Sequence, residues 1–479
     1  MGKKLTAADG SKPLFLQVYD YVITHIERGE WKAHDKLPSI RILAQQFEIN
    51  RLTVFRAYQL LKQEGKTYVK EKSGYYVGSG NSVAAFQVHK HSQDIAVSSS
   101  LKNEMNEIQQ LPVLYQFSQA LIDPNLLPNL YLSDYVKKVF DIYPKLMGTY
   151  STPQGDEELR EVLCRYMIGD LRVQLNVQEL LIASGAQQAI DLISRTFVRP
   201  MDYVLIERPT YSAAIDIFRQ QGARFLPVDI NPGGYDLEIV ERMMKEYKPR
   251  VFYMNPTFHN PTGYTVPPLQ RKQLVELAEK YRCLLIEDDA FHDMYFEGPP
   301  PQPLFTYDTE GWVVYIRSFS KYVAPGLRIC TVIGRRSIIE PLIIAKSLAD
   351  NGTPLVTQKI FLHYFESERM RKHVGKLRTA LQLRRDIMEG ELADSGWSWV
   401  SPKGGLNLWI KLPNELSAEA LLSESIRQSV SFVPGRICDP LGEMNSWIRL
   451  SYSFVKEGQL RDGVKRLMDI SQQLMKSRC

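Results

Sequence analysis

At 479 residues with 44% hydrophobic composition, the chain exceeds what a single core organises, so at least two domains are expected. Its formal charge of +5 is unevenly placed: residues 1–80 hold 13 Lys+Arg against 8 Asp+Glu and the remainder 46 of each, which suits a phosphate-backbone partner for the first module or a merely solubilising face. No run of about 18 apolar residues occurs, Met1-Gly2-Lys3-Lys4 leads into no apolar stretch, and five cysteines stand singly without a C-x-x-C pair; a membrane span, signal peptide, disulfide framework and metal site are therefore not predicted, and the expected location is cytoplasmic.

Residues 1–12 read as an N-terminal tail. Beyond them Phe15, Val18, Tyr19, Val22 and Ile26 share one stripe at helical spacing. Ser39 is placed to cap a short helix through Phe47, with Ile40, Leu43 and Ala44 inward. After Glu48-Ile49-Asn50, Asn50 can cap a helix from about Arg51 to Glu64 that turns Val54, Ala57, Tyr58 and Leu61 inward and Arg51, Thr53 and Arg56 outward. Two helices joined by so short a turn match a helix-turn-helix, whose second helix enters the major groove. Tyr68–Lys70 and Tyr75–Val77 then read as strands around Glu71-Lys72-Ser73-Gly74, a basic wing in which Lys72 and Gly74 would follow the DNA backbone.

Residues 13–78 resemble the GntR-type winged helix through Pro38-Ser39-Ile40-Arg41-x-Leu43-Ala44, Asn50-Arg51-x-Thr53-Val54-x-Arg56-Ala57-Tyr58, Leu61-x-x-x-Gly65 and Ser73-Gly74-x-x-Val77. That resemblance implies a small α+β domain whose Arg41, Arg51, Thr53 and Arg56 contact double-stranded promoter or operator DNA. One departure is Lys66 after Gly65, where the family usually has an apolar residue. Residues 79–112 read as a linker, polar and Ser-rich, including Gly78-Ser79-Gly80-Asn81-Ser82 and Ser98-Ser99-Ser100.

From residue 113 to 479, short apolar runs alternate with helical segments. Leu180–Ala183, Tyr203–Ile206, Arg250–Met254, Cys283–Ile286 and Trp312–Ile316 predict an α/β domain with a mainly parallel sheet and ligand groups at its carboxyl ends. Ser184-Gly185-Ala186-Gln187 comes after the first run and opens a helix, so the N–H groups of Gly185, Ala186 and Gln187 can hold a phosphate, a weak signal by itself. Asn255-Pro256-Thr257-Phe258-His259-Asn260-Pro261-Thr262-Gly263 is rarer and holds an Asn between two turns. A carboxylate in Glu287-Asp288-Asp289 closes another strand, where burial demands a cationic partner. Lys321, beside Ser318 and Ser320 and ahead of Pro325-Gly326-Leu327-Arg328, reads as a shielded amine able to form a Schiff base near phosphate-binding serines and an arginine.

In this order the residues resemble the fold type I, aspartate aminotransferase-like pyridoxal phosphate enzymes over about residues 113–475. The resemblance implies pyridoxal 5'-phosphate as cofactor, Lys321 as its Schiff-base lysine, Asp288 on the pyridine nitrogen, Asn260 on the phenolic oxygen and Tyr211 stacked on the ring. It also implies that Arg449, in Trp447-Ile448-Arg449-Leu450-Ser451, grips an α-carboxylate, and that Tyr150 reaches a phosphate in a neighbouring subunit, hence a homodimer. Ala290 and Phe291 stand where relatives place a tyrosine that bonds the phenolic oxygen, a departure that argues against efficient transamination.

As a whole the chain resembles the MocR/GabR subfamily of GntR regulators. Membership of that subfamily implies a pyridoxal-phosphate-dependent transcriptional regulator in which a small amino compound, or the cofactor itself, alters promoter binding. A working aminotransferase tethered to DNA is the alternative from another class, and a scaffold that binds no cofactor is a third.

Overall fold

A computed structural model describes residues 14–63, 66–70, 73–78, 104–413 and 416–476. The predicted tail 1–12, most of the linker, Gly65 and the wing residue Lys72 lie outside the described residues. Those described fall into two compact units, 14–78 and 104–476.

In the first unit, α1 (Leu14–Glu27), α2 (Ile40–Gln46) and α3 (Arg51–Gln63) precede a hairpin of β1 (Thr67–Lys70) and β2 (Gly74–Val77). Local chemistry starts both α2 and α3: Ser39 Oγ accepts from the Ile42 amide at 3.3 Å and Asn50 Oδ1 from the Leu52 amide at 2.9 Å. Glu48 makes the turn between them in the left-handed region, φ +55°. Val18, Val22, Leu43, Val54, Tyr58 and Leu61 fill the core, each contributing about 1.5–3 kcal/mol by burial. The Tyr58 hydroxyl donates to Pro38 O at 2.6 Å, which ties α3 to the entry of α2.

The second unit opens with α4 (Glu104–Gln109), so the last part of the predicted linker is helical. Six residues cannot sustain a helix alone. Met105 and Ile108 pack onto the cores around Trp409 and Leu408, and Arg436 pairs with Glu104 at 2.6 Å. After β3 (Tyr115–Gln116), which lies outside it, comes a seven-stranded sheet of β4 (Leu180–Ala183), β5 (Tyr203–Arg208), β6 (Arg224–Asp229), β7 (Val251–Met254), β8 (Leu284–Asp289), β9 (Val313–Ser318) and β10 (Cys330–Ile333). The spatial order is β4-β10-β9-β8-β7-β5-β6. Only β10 runs against the rest, pairing antiparallel with both β4 and β9. The reason is length: Phe319–Ile329 is too short for a helical crossover, so the chain turns straight back beside β9. That return loop carries Lys321 and Arg328 over the carboxyl end of the sheet, anchored by buried Phe319, Tyr322, Val323 and Ile329.

A smaller sheet of β11 (Ser398–Trp399), β12 (Asn407–Lys411), β14 (Val433–Pro434) and β15 (Trp447–Ser451), with β13 (Val430–Ser431) pairing parallel to β3, completes the unit. Segment 115–123 is stitched to it by Tyr115 N to Ser429 O, Phe117 N to Ser431 O and Asp123 N to Ser453 O, at 2.8–2.9 Å. It ends at a buried ion pair, in which Arg384 Nη2 donates to Asp123 Oδ2 at 2.9 Å.

Burial pushes the Asp123 carboxyl up, but hydrogen bonds from Arg384 and Asn125 outweigh it and hold the group below its ordinary value. The pair therefore stabilises the fold above about pH 4 and loses that contribution as pH falls below it. Asp123→Ala strands a buried guanidinium, and a loss of roughly 3–5 kcal/mol is expected, read as a lowered thermal midpoint of the aminotransferase-like unit at neutral pH.

Candidate functional site

A cleft at the carboxyl ends of the large sheet gathers nine of the expected residues: Ala186, Gln187, Tyr211, Asn260, Asp288, Ser318, Ser320, Lys321 and Arg328. The parallel arrangement brings them together, because each follows or ends a strand on the same edge. Asp288, next to last in β8, is 3% exposed. Its Oδ2 accepts from the Tyr253 hydroxyl at 2.8 Å, and its Oδ1 has no partner among the described residues. Burial pushes this carboxyl up to about 7, reinforced by the charges of Asp289 and Glu207 and opposed by Tyr253 and Lys321.

Lys321 Nζ donates to Ala120 O at 3.1 Å. Desolvation, then the positive charges of Arg449 and Arg328, bring its amine down to about 8 against the pull of Asp288. Such an amine carries a neutral fraction near pH 7 that can add to a carbonyl.

One end of the cleft is built on backbone geometry. α7 (Ala186–Phe197), preceded by α5 (Asn129–Ile142) and α6 (Glu157–Leu171), begins directly after β4, with Gly185 before it at φ +94°. A Cβ at Gly185 would stand 2.1 Å from Arg328 Nη2, which itself donates to Ser184 O at 3.1 Å. Ser320 Oγ is buried without a partner among the described residues. First-turn amides, a spare hydroxyl and a guanidinium suit a dianion.

At the other end, Asn260 Oδ1 accepts from Arg449 Nη1 at 3.1 Å and from Asn407 Nδ2 at 3.4 Å, which leaves the Asn260 amide nitrogen to donate to a ligand oxygen. Arg449 is buried in the middle of β15; its Nη2 donates to Ser118 O at 2.7 Å and its Nε has no partner among the described residues. Tyr211 starts α8 (Ser212–Gln220), and its hydroxyl is pushed up to about 12, first by burial and then by Asp288. Phe291 is buried against the cleft and brings no hydroxyl. Tyr150 is not part of this cleft and stands 86% exposed.

Two supporting groups, Glu207 and Tyr253, escape the sequence reading, while Asn255, which opens the turn motif singled out there, links Glu207 to the cleft. Glu207, fully buried, accepts from the Tyr235 hydroxyl and from the Asn255 amide at 2.8 Å. The Asn255 side chain in turn accepts from the Asn260 backbone N–H at 2.7 Å and donates to Asp288 O. Tyr253 orients Asp288 itself. The available signal was a Glu closing the apolar run Val204-Leu205-Ile206 and a Tyr inside a buried one.

The orphaned Asp288 oxygen and the Gly185 cradle fit pyridoxal phosphate: a protonated pyridine nitrogen satisfies the first and a phosphate the second. In the first unit Arg41, Arg51 and Arg56 are exposed, Thr53 is half-buried, and Gly74 opens β2 at φ +122°.

The family "Aminotransferase class I and II" matches residues 145–467, and "Bacterial regulatory proteins, gntR family" matches residues 14–77. The HTH-type transcriptional regulator YisV of Bacillus subtilis is 31% identical over 478 residues, 97% of each chain. The HTH-type transcriptional regulator NorG of Staphylococcus aureus is 28% identical over 441 residues, 90% of this chain and 98% of that one. Among solved structures, LysN, an alpha-aminoadipate aminotransferase from Thermus thermophilus in complex with N-(5'-phosphopyridoxyl)-L-leucine, matches with a TM-score of 0.74 and 30% identity over 78% of this chain and 96% of that one.

Asp288→Ala removes the acceptor that this cleft offers to a pyridine nitrogen. Pyridoxal phosphate affinity, followed by absorbance titration of the apoprotein, is expected to fall about 10- to 100-fold. Unchanged affinity would mean that the ring nitrogen points elsewhere.

Proposed function

We propose, for a chain that belongs to the class I and II aminotransferases and carries a gntR-family DNA-binding module ahead of that domain, a transcriptional regulator that senses an amino compound or pyridoxal phosphate itself at Lys321. This order of parts is that of the MocR/GabR regulators. Among the described residues no helix is long and apolar enough to cross a membrane, and the proposed location is cytoplasmic.

When bound, pyridoxal phosphate supplies an aldehyde that condenses with amines and a ring that withdraws electrons. Asp288 would hold the proton of the ring nitrogen, Tyr211 would cover one face, and Gly185, Ala186, Gln187, Ser318, Ser320 and Arg328 would hold the phosphate. Arg449 would grip an effector carboxylate. Phe291 leaves Asn260 as the side chain set to donate to the phenolic oxygen, which favours a sensor over an efficient catalyst.

One observation carries the coupling to DNA. The two groups that would engage cofactor and effector both hold the same short stretch of backbone: Lys321 Nζ donates to Ala120 O at 3.1 Å and Arg449 Nη2 to Ser118 O at 2.7 Å. That stretch is fastened to α4, since Gln119 Nε2 donates to Gln109 O at 2.9 Å and Gln109 Nε2 to Ser118 O at 3.4 Å. An effector carboxylate at Arg449 competes with Ser118 O, and a Lys321 engaged elsewhere gives up Ala120 O. Either event loosens residues 118–120, against which α4, the end of the linker stretch, is held. Tyr150, exposed beside exposed Met147, suits a homodimer in which it serves the cleft of a second copy.

Titrating pyridoxal phosphate and candidate amines while monitoring DNA retention is expected to change affinity about 5- to 150-fold, the usual range of allosteric coupling. Arg449→Ala should abolish the response to carboxylate-bearing amines. Steady, brisk conversion of any amino donor to its keto acid, with DNA binding indifferent to every ligand, contradicts the sensor reading.

A further inference from the structure

Most of α3 is accounted for by packing or charge, except the middle of its exposed face. At about 100° per residue, Arg51 and Arg56 stand roughly 140° apart around the helix, with Leu52 and Phe55 between them. Leu52 is 57% exposed and Phe55 41%, and neither joins the core that Val54, Ala57, Tyr58 and Leu61 build on the opposite side. Gln59, the next polar residue on this arc, is drawn to the hairpin, its Nε2 donating to Tyr75 OH at 3.3 Å. Thr53 sits half-buried at the margin. The centre of the face that a helix-turn-helix presents to the major groove is therefore apolar and flanked by guanidinium groups.

From this we infer that Leu52 and Phe55 read thymine by its C5-methyl group, and so set the base specificity of the operator. The inference rests on the DNA-binding reading above and adds what that DNA must contain. Neither side chain can bond the donors and acceptors of a base edge. The thymine methyl is the apolar feature of the major groove that such side chains can match. Charge settles the occupant in favour of DNA over an apolar protein surface: α3 contains no Asp or Glu, and arginines border the patch on both sides, as a phosphate-lined groove requires. Leu52 also lies in the first turn, held by the Asn50 cap on its amide, and first-turn residues of a recognition helix are the ones that reach base edges. The arginines are then left for guanine edges or phosphates, and each half-site carries thymine between the positions they contact.

The test uses the full chain and an operator selected from randomised duplexes. Each thymine is replaced singly by deoxyuridine, which removes the methyl group and keeps the base pair. At one or two positions per half-site, affinity should fall roughly fourfold, the equivalent of one buried carbon. Leu52→Ala or Phe55→Ala should erase the difference between thymine and deoxyuridine at one of those positions, while Leu52→Met should retain it. A selected site in which no deoxyuridine changes affinity overturns the inference, and this arm needs only the unaltered protein. So does an undiminished thymine preference in both alanine variants. Failure to retain any duplex in a salt-sensitive manner would sink the DNA-binding reading as well, whereas retention indifferent to deoxyuridine sinks this inference alone.

Discussion

A carboxylate buried at the end of β8 with one oxygen unanswered is the constraint around which the larger unit is arranged. Leaving Asp288 ionised and unpaired there is costly, and burial accordingly holds its proton to about pH 7. A cationic ring nitrogen would relieve that cost. The neighbours serve the same end: Tyr253 fixes one oxygen so that the other is left for a ligand, and the chain Glu207-Asn255-Asn260 locks the adjoining turn against the Asp288 backbone. Lys321 arrives from the other side because the loop after β9 is too short to cross over.

On the proposed reading, the same compactness would link the cleft to the linker end at α4. Ser118 O is shared between Arg449 of the cleft and Gln109 of α4, and the Gln119 side chain donates to Gln109 O, so a change of partner at Arg449 or at the neighbouring Lys321 would reach α4. Asp123 and Arg384 form one fixed end of that segment. Backbone bonds at Tyr115, Phe117 and Asp123 fix the segment on either side, and the bonds that a ligand would take over lie between them, so on the proposed reading residues 118–120 would serve as the two-state element. Its bias would be the difference in ligand affinity between the two arrangements.

Much of this is legible in the residues, and the hidden parts are hidden for physical reasons. Ser39 and Asn50 announce their helices because capping is local. Apolar runs mark the inner strands, whereas β6 escapes notice because, as an edge strand, it mixes exposed and buried positions from Arg224 to Asp229. β10 escapes it because four residues after Pro325-Gly326-Leu327-Arg328 give no period, and its direction depends on loop length. Tyr253 and Glu207 act across 35 and 48 residues of sequence, a separation that no local pattern reports. α4 reads as polar linker because its stability comes from the surface it packs on. On α3 the sequence points to the arginines, and only exposure picks out Leu52 and Phe55.

Mass analysis of the Lys321 peptide after incubation with pyridoxal phosphate and borohydride reduction bears most directly on the central pairing. The account predicts that this peptide, and no other in comparable yield, gains the mass of one phosphopyridoxyl group. An unmodified Lys321 in excess aldehyde, or equal labelling of surface lysines, would contradict it.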